Sequence, residues 1–331
     1  MKPYRSAVIG CGLIGSRFAG DAGRIGVATH AGAYAGCGRT RLDALCDADG
    51  VALAEAGDRW SVEARYSDPV RLLAERQPEI VSICTPDPTH APLLRQVLAV
   101  PGVRAVFAEK PLALDLAEAR AVLALAEDKP LLVNYARRFA TSHQALKARL
   151  EAGAIGRMVA VQGIYTKGLL HNGTHWLDLA RWLVGEVAAV QAFDALHEGG
   201  ADPTLDLRLQ FASGATGTLT GLSARDYSIF EMDILGTAGR ARLSDGGWSV
   251  ELMTVAPSPR YTGYNTLGAP VAIEGGLRDL ALRAVENLTA HLDDPRVPLA
   301  CTGRDGLQVL LMAEAARHSL ATGHYETVPA L

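Results

Sequence analysis

Over the first 135 residues, short apolar runs alternate with amphipathic stretches. Residues 6–9, 42–46, 80–84, 105–108 and 131–134 are mostly rich in Val, Ile, Leu or Ala and are bounded by Gly, Pro or Asp, so they read as buried strands. Between them, residues 70–76, 91–98 and 114–126 carry apolar positions at helical spacing. This alternation predicts an α/β fold on a doubly wound parallel sheet.

After Phe139 the texture changes. Residues 142–152 read as a helix and 158–165 as a strand. Strand candidates at 205–211, 216–221, 230–235, 240–243 and 249–255 follow without helices between them, joined by short turns such as Ala212-Ser213-Gly214. That pattern predicts a large, mostly antiparallel, open sheet. Residues 256–275 read as a loop, and amphipathic helices are expected near 276–292 and 304–322. Two domains follow: 1–135 with the parallel sheet, and 136–331 as an α+β domain. A chain of 331 residues suits two cores better than one.

Composition removes several classes of function. With 49% hydrophobic and 21% charged residues, a sizeable core is expected. A net charge of −4, with Lys and Arg scattered, leaves no footprint for nucleic acid. No charge-free apolar run is long enough to suggest a membrane span. The five cysteines, at 11, 37, 46, 84 and 301, are odd in number and form no CxxC pair, which fits a reducing cytoplasm. The start, MKPYRSAVIGCG, enters a strand at once and leaves no room for a signal peptide.

Candidate chemistry gathers where strands end. Gly10-Cys11-Gly12-Leu13-Ile14-Gly15 follows the first strand and is expected to open a helix. Its first two glycines would allow a tight turn and close backbone approach to a pyrophosphate; the third would let helix and strand pack. Asp47 ends the second strand, where a carboxylate accepts ribose hydroxyls and repels a 2′-phosphate, favouring NAD over NADP. The gap from Gly15 exceeds the usual ~20 residues, and an insertion around residues 30–34 would account for it; Asp49 is the fallback. Thr85-Pro86-Asp87-Pro88-Thr89-His90 and Glu109-Lys110-Pro111 also stand after strands, at the end where doubly wound sheets bind ligands. Thr85, Pro86, His90, Glu109 and Lys110 are thus cofactor-side candidates. The Lys110 ammonium could stabilise a developing alkoxide. His90 by itself reads as a turn histidine, with Thr89 capping the next helix.

The segment HNGTHWLDLARW, from His171 to Trp182, supports three readings. On a helix, His171, His175 and Asp178 share one face. They could bind a metal, move a proton or simply pack at a helix start. A metal site lacks a clear third ligand, and residue 172 is Asn where a metalloprotease has Glu. No metal is expected. Tyr135, Arg138, Tyr165, Lys167 and Asn172 are further polar candidates for a substrate pocket. Arg137 and Arg138 would not both face inward on an extended chain. Trp176 and Trp182 read as helix core.

The ordered set of GxGxxG, Asp47, Thr85-Pro86…His90, Glu109-Lys110-Pro111, Asn134-Tyr135-Ala136-Arg137-Arg138-Phe139 and Gly173-Thr174-His175-Trp176-Leu177-Asp178 resembles the Gfo/Idh/MocA oxidoreductases, the relatives of glucose–fructose oxidoreductase and inositol 2-dehydrogenase. Phe230 to Gly239, FEMDILGTAG, looks like one of the family's sheet strands with its turn. The resemblance implies an N-terminal Rossmann domain, a C-terminal sheet that makes homodimer or homotetramer contacts, and NAD as cofactor. It implies Lys110 beside nicotinamide and His175 as proton acceptor. The family usually has aspartate four residues before that histidine; here His171 stands there, followed by Asn172. A neutral imidazole cannot orient His175 by charge. The proton could therefore pass through either histidine, and the hydroxyl-binding role could fall to His171 or Asn172.

The function expected is an NAD(H)-dependent dehydrogenase acting on a secondary alcohol of a sugar, sugar derivative or cyclitol. The alternatives are a non-catalytic, dinucleotide-binding regulator on the same scaffold and a metal-dependent hydrolase.

Overall fold

A computed structural model describes residues 2–331. The chain divides into two compact units: the stretch up to Phe139 with Arg278–Leu307, and Ala140–Leu277 with Gln308–Leu331.

The first unit holds a parallel sheet of β1 (Tyr4–Ile9), β2 (Thr40–Cys46), β3 (Arg65–Tyr66), β4 (Ile80–Ile83), β5 (Ala105–Ala108) and β6 (Leu131–Val133). The order is β3-β2-β1-β4-β5-β6, so the chain reverses direction across the sheet at β1 and β4. The crossovers include α1 (His30–Gly36), α2 (Gly50–Trp60), α3 (Pro69–Arg76), α4 (His90–Leu98) and α5 (Leu116–Leu125). The central strands β4 and β5 are buried throughout, as the apolar runs predicted. Asp side chains at 49, 68 and 115 accept backbone N–H groups at the starts of α2, α3 and α5.

The single domain boundary expected near residue 135 differs from this division. Residues 278–307, assigned by sequence to the second domain, pack with the first unit. Helix α8 (Leu280–Asp293) buries Ala281, Ala284, Val285 and Leu288 and lies against α1. Asp293 accepts from Tyr4 at 2.7 Å and from Arg39 at 2.6 and 2.8 Å. Val133 N–H donates to Cys301 O beyond β6. None of these partners is near in sequence, so no local pattern marks the return.

The second unit is a mixed, mostly antiparallel sheet. It runs β14 (Asn265–Leu267), β13 (Ser249–Pro257), β12 (Gly239–Ser244), β11 (Phe230–Gly236), β7 (Met158–Tyr165), β10 (Thr216–Gly221), β9 (Asp206–Phe211), β8 (Val187–Phe193), β16 (Glu326–Thr327), with β15 (Val271–Ala272) on β13. Only the β7–β10 pairing is parallel among those described. The expected loop at 256–275 therefore carries β14 and β15, and β8 was not predicted. Helices α6 (Thr141–Glu151) and α7 (Thr174–Val184) belong to this unit, while α9 (Gly303–Thr322) starts in the first unit and ends in this one.

Helix α7 is fastened to the sheet by one tryptophan. Trp176 is fully buried, its Nε1 donates to Glu231 O at 3.0 Å, and its ring fills the space where Gly163 of β7 has no Cβ. Trp182 is only partly buried, so the core reading holds for Trp176 alone. Gly163→Ala should force a Cβ into the indole and destabilise the protein by ~1–3 kcal/mol, the usual cost of overpacking. Urea unfolding checks this; an unchanged midpoint refutes the tight contact.

Candidate active site

The glycine loop leaves β1 through backbone contact. Gly10 has φ +99°, and a Cβ there would lie 2.6 Å from Cys84 C and O. Gly15 sits directly on the Gly10 carbonyl, closer than any side chain permits. A Cβ on Gly12, by contrast, would meet nothing within 4 Å. Leu13 is exposed and Ile14 half-buried. Gly10 and Gly15 are thus required by close backbone packing, while Gly12 faces open space.

The expected helix does not begin at Gly15. The Gly12 carbonyl accepts from both Ser16 and Arg17, the chain makes a four-residue 3-10 turn at Arg17–Gly20, and α1 starts only at His30. The N–H groups of His30 and Ala31 donate to Ile14 O and Gly15 O at 3.1 and 3.0 Å. Helix α1 is therefore hydrogen-bonded onto the turn that the glycines make, with residues 17–29 looped out between. The insertion lies at 17–29 rather than at 30–34, which are buried members of α1.

A cavity of about 570 Å³ opens beside this loop, lined by Gly10, Gly12, Arg17, Asp47, Asp49, Thr85 and Pro86, among others. A larger one of about 730 Å³ in the same unit is lined by residues of α5, α8 and the start of α9 and holds none of the motif residues. Asp47 Oδ2 accepts from Cys11 N at 2.6 Å and Oδ1 from Asp49 N at 2.8 Å. The carboxylate is thus held by backbone, yet each oxygen keeps lone-pair capacity for a ribose hydroxyl. Asp49 serves α2 as its cap. Arg17 bonds Glu55 at 2.8 Å and lies 3.9 Å from Asp49. Burial first, then Asp47, pushes the Cys11 and Cys46 thiols up to about 12, so neither is a thiolate nucleophile at neutral pH.

Beyond the loop, β4, β5 and β6 end side by side. Lys110 follows β5, is half-buried, and precedes a cis Pro111. Glu109 Oε1 receives His30 Nε2 at 3.0 Å and Asn134 Nδ2 at 2.5 Å. Burial would raise the Glu109 pKa, but the His30 bond, the His30 and Asn134 contacts and the Lys110 charge outweigh it and hold it below the usual range. His30 Nδ1 is 2.9 Å from Ser82 Oγ, which is 2.7 Å from the Tyr34 hydroxyl. Sequence reasoning missed His30 and Ser82. The available signal was Thr29 before a small-residue run, a capped helix start; Thr29 Oγ1 does accept from Gly32 N. Asn134 Oδ1 is buried without a partner at this strand end, an acceptor that a carboxamide or hydroxyl of a bound cofactor would satisfy. With the open space at Gly12, it fits a dinucleotide.

Several predicted contacts have other duties. His90 is buried, with Nδ1 2.6 Å from Pro111 O and Nε2 2.7 Å from Thr85 O, so it straps two loops together and has no nitrogen left for a cofactor. Thr85 Oγ1 accepts from Thr89. Arg138 is 3% exposed, donates to Ala300 O at 3.1 Å and pairs with Asp305 at 3.3 Å, so it is an internal strut rather than a substrate group. Tyr135 is buried, and burial pushes the half-buried Arg137 guanidinium down to about 10. The Tyr165 hydroxyl both donates to Leu205 O and accepts from Leu205 N at 2.9 Å, which removes it from substrate binding.

In the second unit, Gly168–Gly173 form a π turn that runs into α7. The wide turn is held by Asp202, whose two oxygens accept from Leu170 N and His171 N at 2.7 and 2.9 Å. His171 is exposed, His175 half-buried and Asp178 buried, so the three do not share one exposed face. Asn172 Nδ2 donates to Thr166 O, and Lys167 is exposed at φ +73°. Among the described residues no group of three or more His, Cys, Asp or Glu is arranged to hold a metal.

Comparison with known proteins matches these two units to two family models. Residues 4–136 match an oxidoreductase family with an NAD-binding Rossmann fold. Residues 143–242 match the GFO/IDH/MocA C-terminal domain. The chain is 27% identical to a D-apiose dehydrogenase of Rhizobium rhizogenes, over 100% of this chain and 99% of that protein. It is 29% identical to an inositol 2-dehydrogenase of Rhizobium meliloti, over 91% and 95%. An Agrobacterium radiobacter oxidoreductase in complex with NAD+, L-tartaric acid and magnesium superposes with a TM-score of 0.78 at 25% identity, covering 99% of both chains. Levoglucosan dehydrogenase with NADH shares the fold at a TM-score of 0.82 and 21% identity, covering 100% of both chains. The fold and the loop define an NAD-binding oxidoreductase. The protein belongs to the Gfo/Idh/MocA family.

Gly12→Ala should leave the unfolding midpoint almost unchanged, because its Cβ meets no protein atom. It should weaken NADH binding ~5–150-fold, the affinity equivalent of ~1–3 kcal/mol of overpacking. Fluorescence titration with NADH checks this, and undiminished affinity would place the cofactor elsewhere.

Proposed function

We propose that the protein is an NAD(H)-dependent dehydrogenase that moves a hydride between nicotinamide and a secondary alcohol or ketone of a sugar, sugar derivative or cyclitol. The observation that carries this reading is Lys110, placed at the carboxyl end of β5 beside an ionised Glu109, in the unit that bears the dinucleotide loop. Full-length relatives named for apiose and inositol support the substrate class. NAD, when bound, accepts the hydride from the carbinol carbon or returns it.

In the oxidation direction, His175 takes the hydroxyl proton as the carbinol C–H electron pair departs and the carbonyl forms. An imidazole titrates near neutrality and suits that exchange. The Lys110 ammonium stabilises negative charge on the oxygen before the proton is fully transferred. His171, Asn172 and Lys167 position the remaining hydroxyls. The Asp47 side chain accepts ribose hydroxyls and disfavours the 2′-phosphate of NADP.

A panel of polyols and sugars, followed by NADH absorbance, should reveal turnover. Lys110→Ala and His175→Ala should each lower kcat/KM by ~10²–10⁴-fold, the usual worth of a positioned acid–base or oxyanion-stabilising group. Undiminished rates in both variants refute the roles. NADH binding with no turnover on the panel would favour a dinucleotide-sensing regulator instead.

The second unit's sheet supports self-association. Along β10, exposed Thr216, Thr218 and Thr220 alternate with buried Gly217, Leu219 and Gly221, and beside them Arg208 and Gln210 of β9 are exposed. We assign this broad polar face to a homodimer or homotetramer contact. Light scattering after size exclusion should give a multiple of 35.0 kDa, and a monomer at micromolar concentration would refute it. All five cysteines are buried and outside any disulfide, which supports a reducing cytoplasmic setting. Among the described residues no helix is long and apolar enough to cross a membrane.

A further inference from the structure

We propose that His30 is a positioning residue for the reaction: through Glu109 it keeps a negative charge fixed beside Lys110, and so holds Lys110 as an ammonium in one place. This rests on the role assigned to Lys110 above. It adds a residue that lies outside the recognised motifs and reaches Lys110 only through its neighbour.

The ring of His30 has no solvent exposure, and the Glu109 side chain is only 13% exposed. A carboxylate buried this deeply costs several kcal/mol unless it is paired and hydrogen-bonded. A carboxylate only accepts, so His30 Nε2 carries the proton toward Glu109. Nδ1 lies 2.9 Å from Ser82 Oγ, and Ser82 Oγ lies 2.7 Å from the Tyr34 hydroxyl. Tyr34, Ser82, His30 and Glu109 thus form one hydrogen-bonded chain. The negative charge on Glu109 is met by His30 and Asn134 and, next in chain, by Lys110. Asn134 adds a second donor to the same oxygen.

The ring is also fixed in place. It lies 4.1 Å from Phe107 of β5, centroid to centroid, and tilts 31° to it. Its own backbone N–H is bonded to Ile14 O in the glycine loop. One residue thus joins the loop expected to hold the dinucleotide to the turn that presents Lys110. On the far side of Lys110, His90 holds the Pro111 carbonyl. Removing His30 would take away the leading hydrogen bond that holds Glu109 down against burial, and so weaken the carboxylate beside Lys110.

The test compares His30→Leu, which fills the space without a donor, with His30→Gln, which keeps an N–H toward Glu109, and with Glu109→Gln. Competitive acetylation with acetic anhydride, resolved by mass spectrometry, reads how much of each lysine is the free amine. In His30→Leu and Glu109→Gln, labelling of Lys110 should rise ~3–10-fold, the effect of half to one pKa unit, with Lys2 and Lys167 unchanged. Using the alcohol that the wild type turns over, kcat should fall ~10–100-fold in His30→Leu, within the range of a positioning effect. The KM for NAD+ should stay within ~3-fold, and His30→Gln should recover most of the rate. Unchanged Lys110 labelling in folded His30→Leu overturns the proposal, as does changed labelling with unchanged kcat. If His30→Leu does not fold, Ser82→Ala, which deletes the partner of Nδ1 and of the Tyr34 hydroxyl, carries the same readouts. Labelling needs no substrate, so a wild type that turns over no alcohol would sink the proposed function while the labelling still decides the role of His30.

Discussion

A carboxylate buried at the end of a parallel strand must be surrounded by donors or it does not stay charged. Glu109 is that carboxylate, and satisfying it draws together the first unit's functional elements. His30 comes from the start of α1, Asn134 from the end of β6, and Lys110 from the residue next in chain. Because His30 is also bonded through its backbone to Ile14, the glycine loop cannot shift without disturbing Glu109. The loop, the inserted stretch 17–29 and the Lys110 turn therefore depend on one buried charge.

The second unit solves a different problem, a wide helical turn. A π turn leaves its first backbone N–H groups without intrahelical partners. Asp202 supplies both acceptors for Leu170 and His171, and Thr174 Oγ1 bonds Leu170 O across the junction with α7. Trp176 then pins α7 to β7 and β11. The half-buried His175 is carried between these two attachments, so its place is set by packing on one side and by a loop carboxylate on the other.

Strands β1, β2, β4 to β7 and β9 to β13 were legible because each is a short apolar run or an alternating one, a property of adjacent residues, whereas β3, β8 and β14 to β16 were not. The glycine loop was legible for the same reason. Residues that sequence grouped by proximity were then sorted differently by the fold. Tyr165, Arg138 and His90 all stand close in sequence to candidate chemistry. Each spends its polar atoms on backbone or a buried partner: Leu205, Ala300 with Asp305, and the carbonyls of Thr85 and Pro111. Their desolvated hydroxyl, guanidinium and imidazole had to be satisfied internally.

The sequence by itself determined the family, the parallel and mostly antiparallel sheets, and the strand ends at which chemistry gathers, because motif order and hydrophobic period are local and additive. Tertiary structure alone decided that residues 278–307 return to the first unit, that α1 begins at His30 after an excursion, and that His30 and Asp202 meet Glu109 and the 168–173 turn. Those pairings join residues 79 and 31 positions apart. They follow from which buried donors and acceptors must be satisfied once the chain is packed, and no pattern among neighbouring residues encodes that requirement.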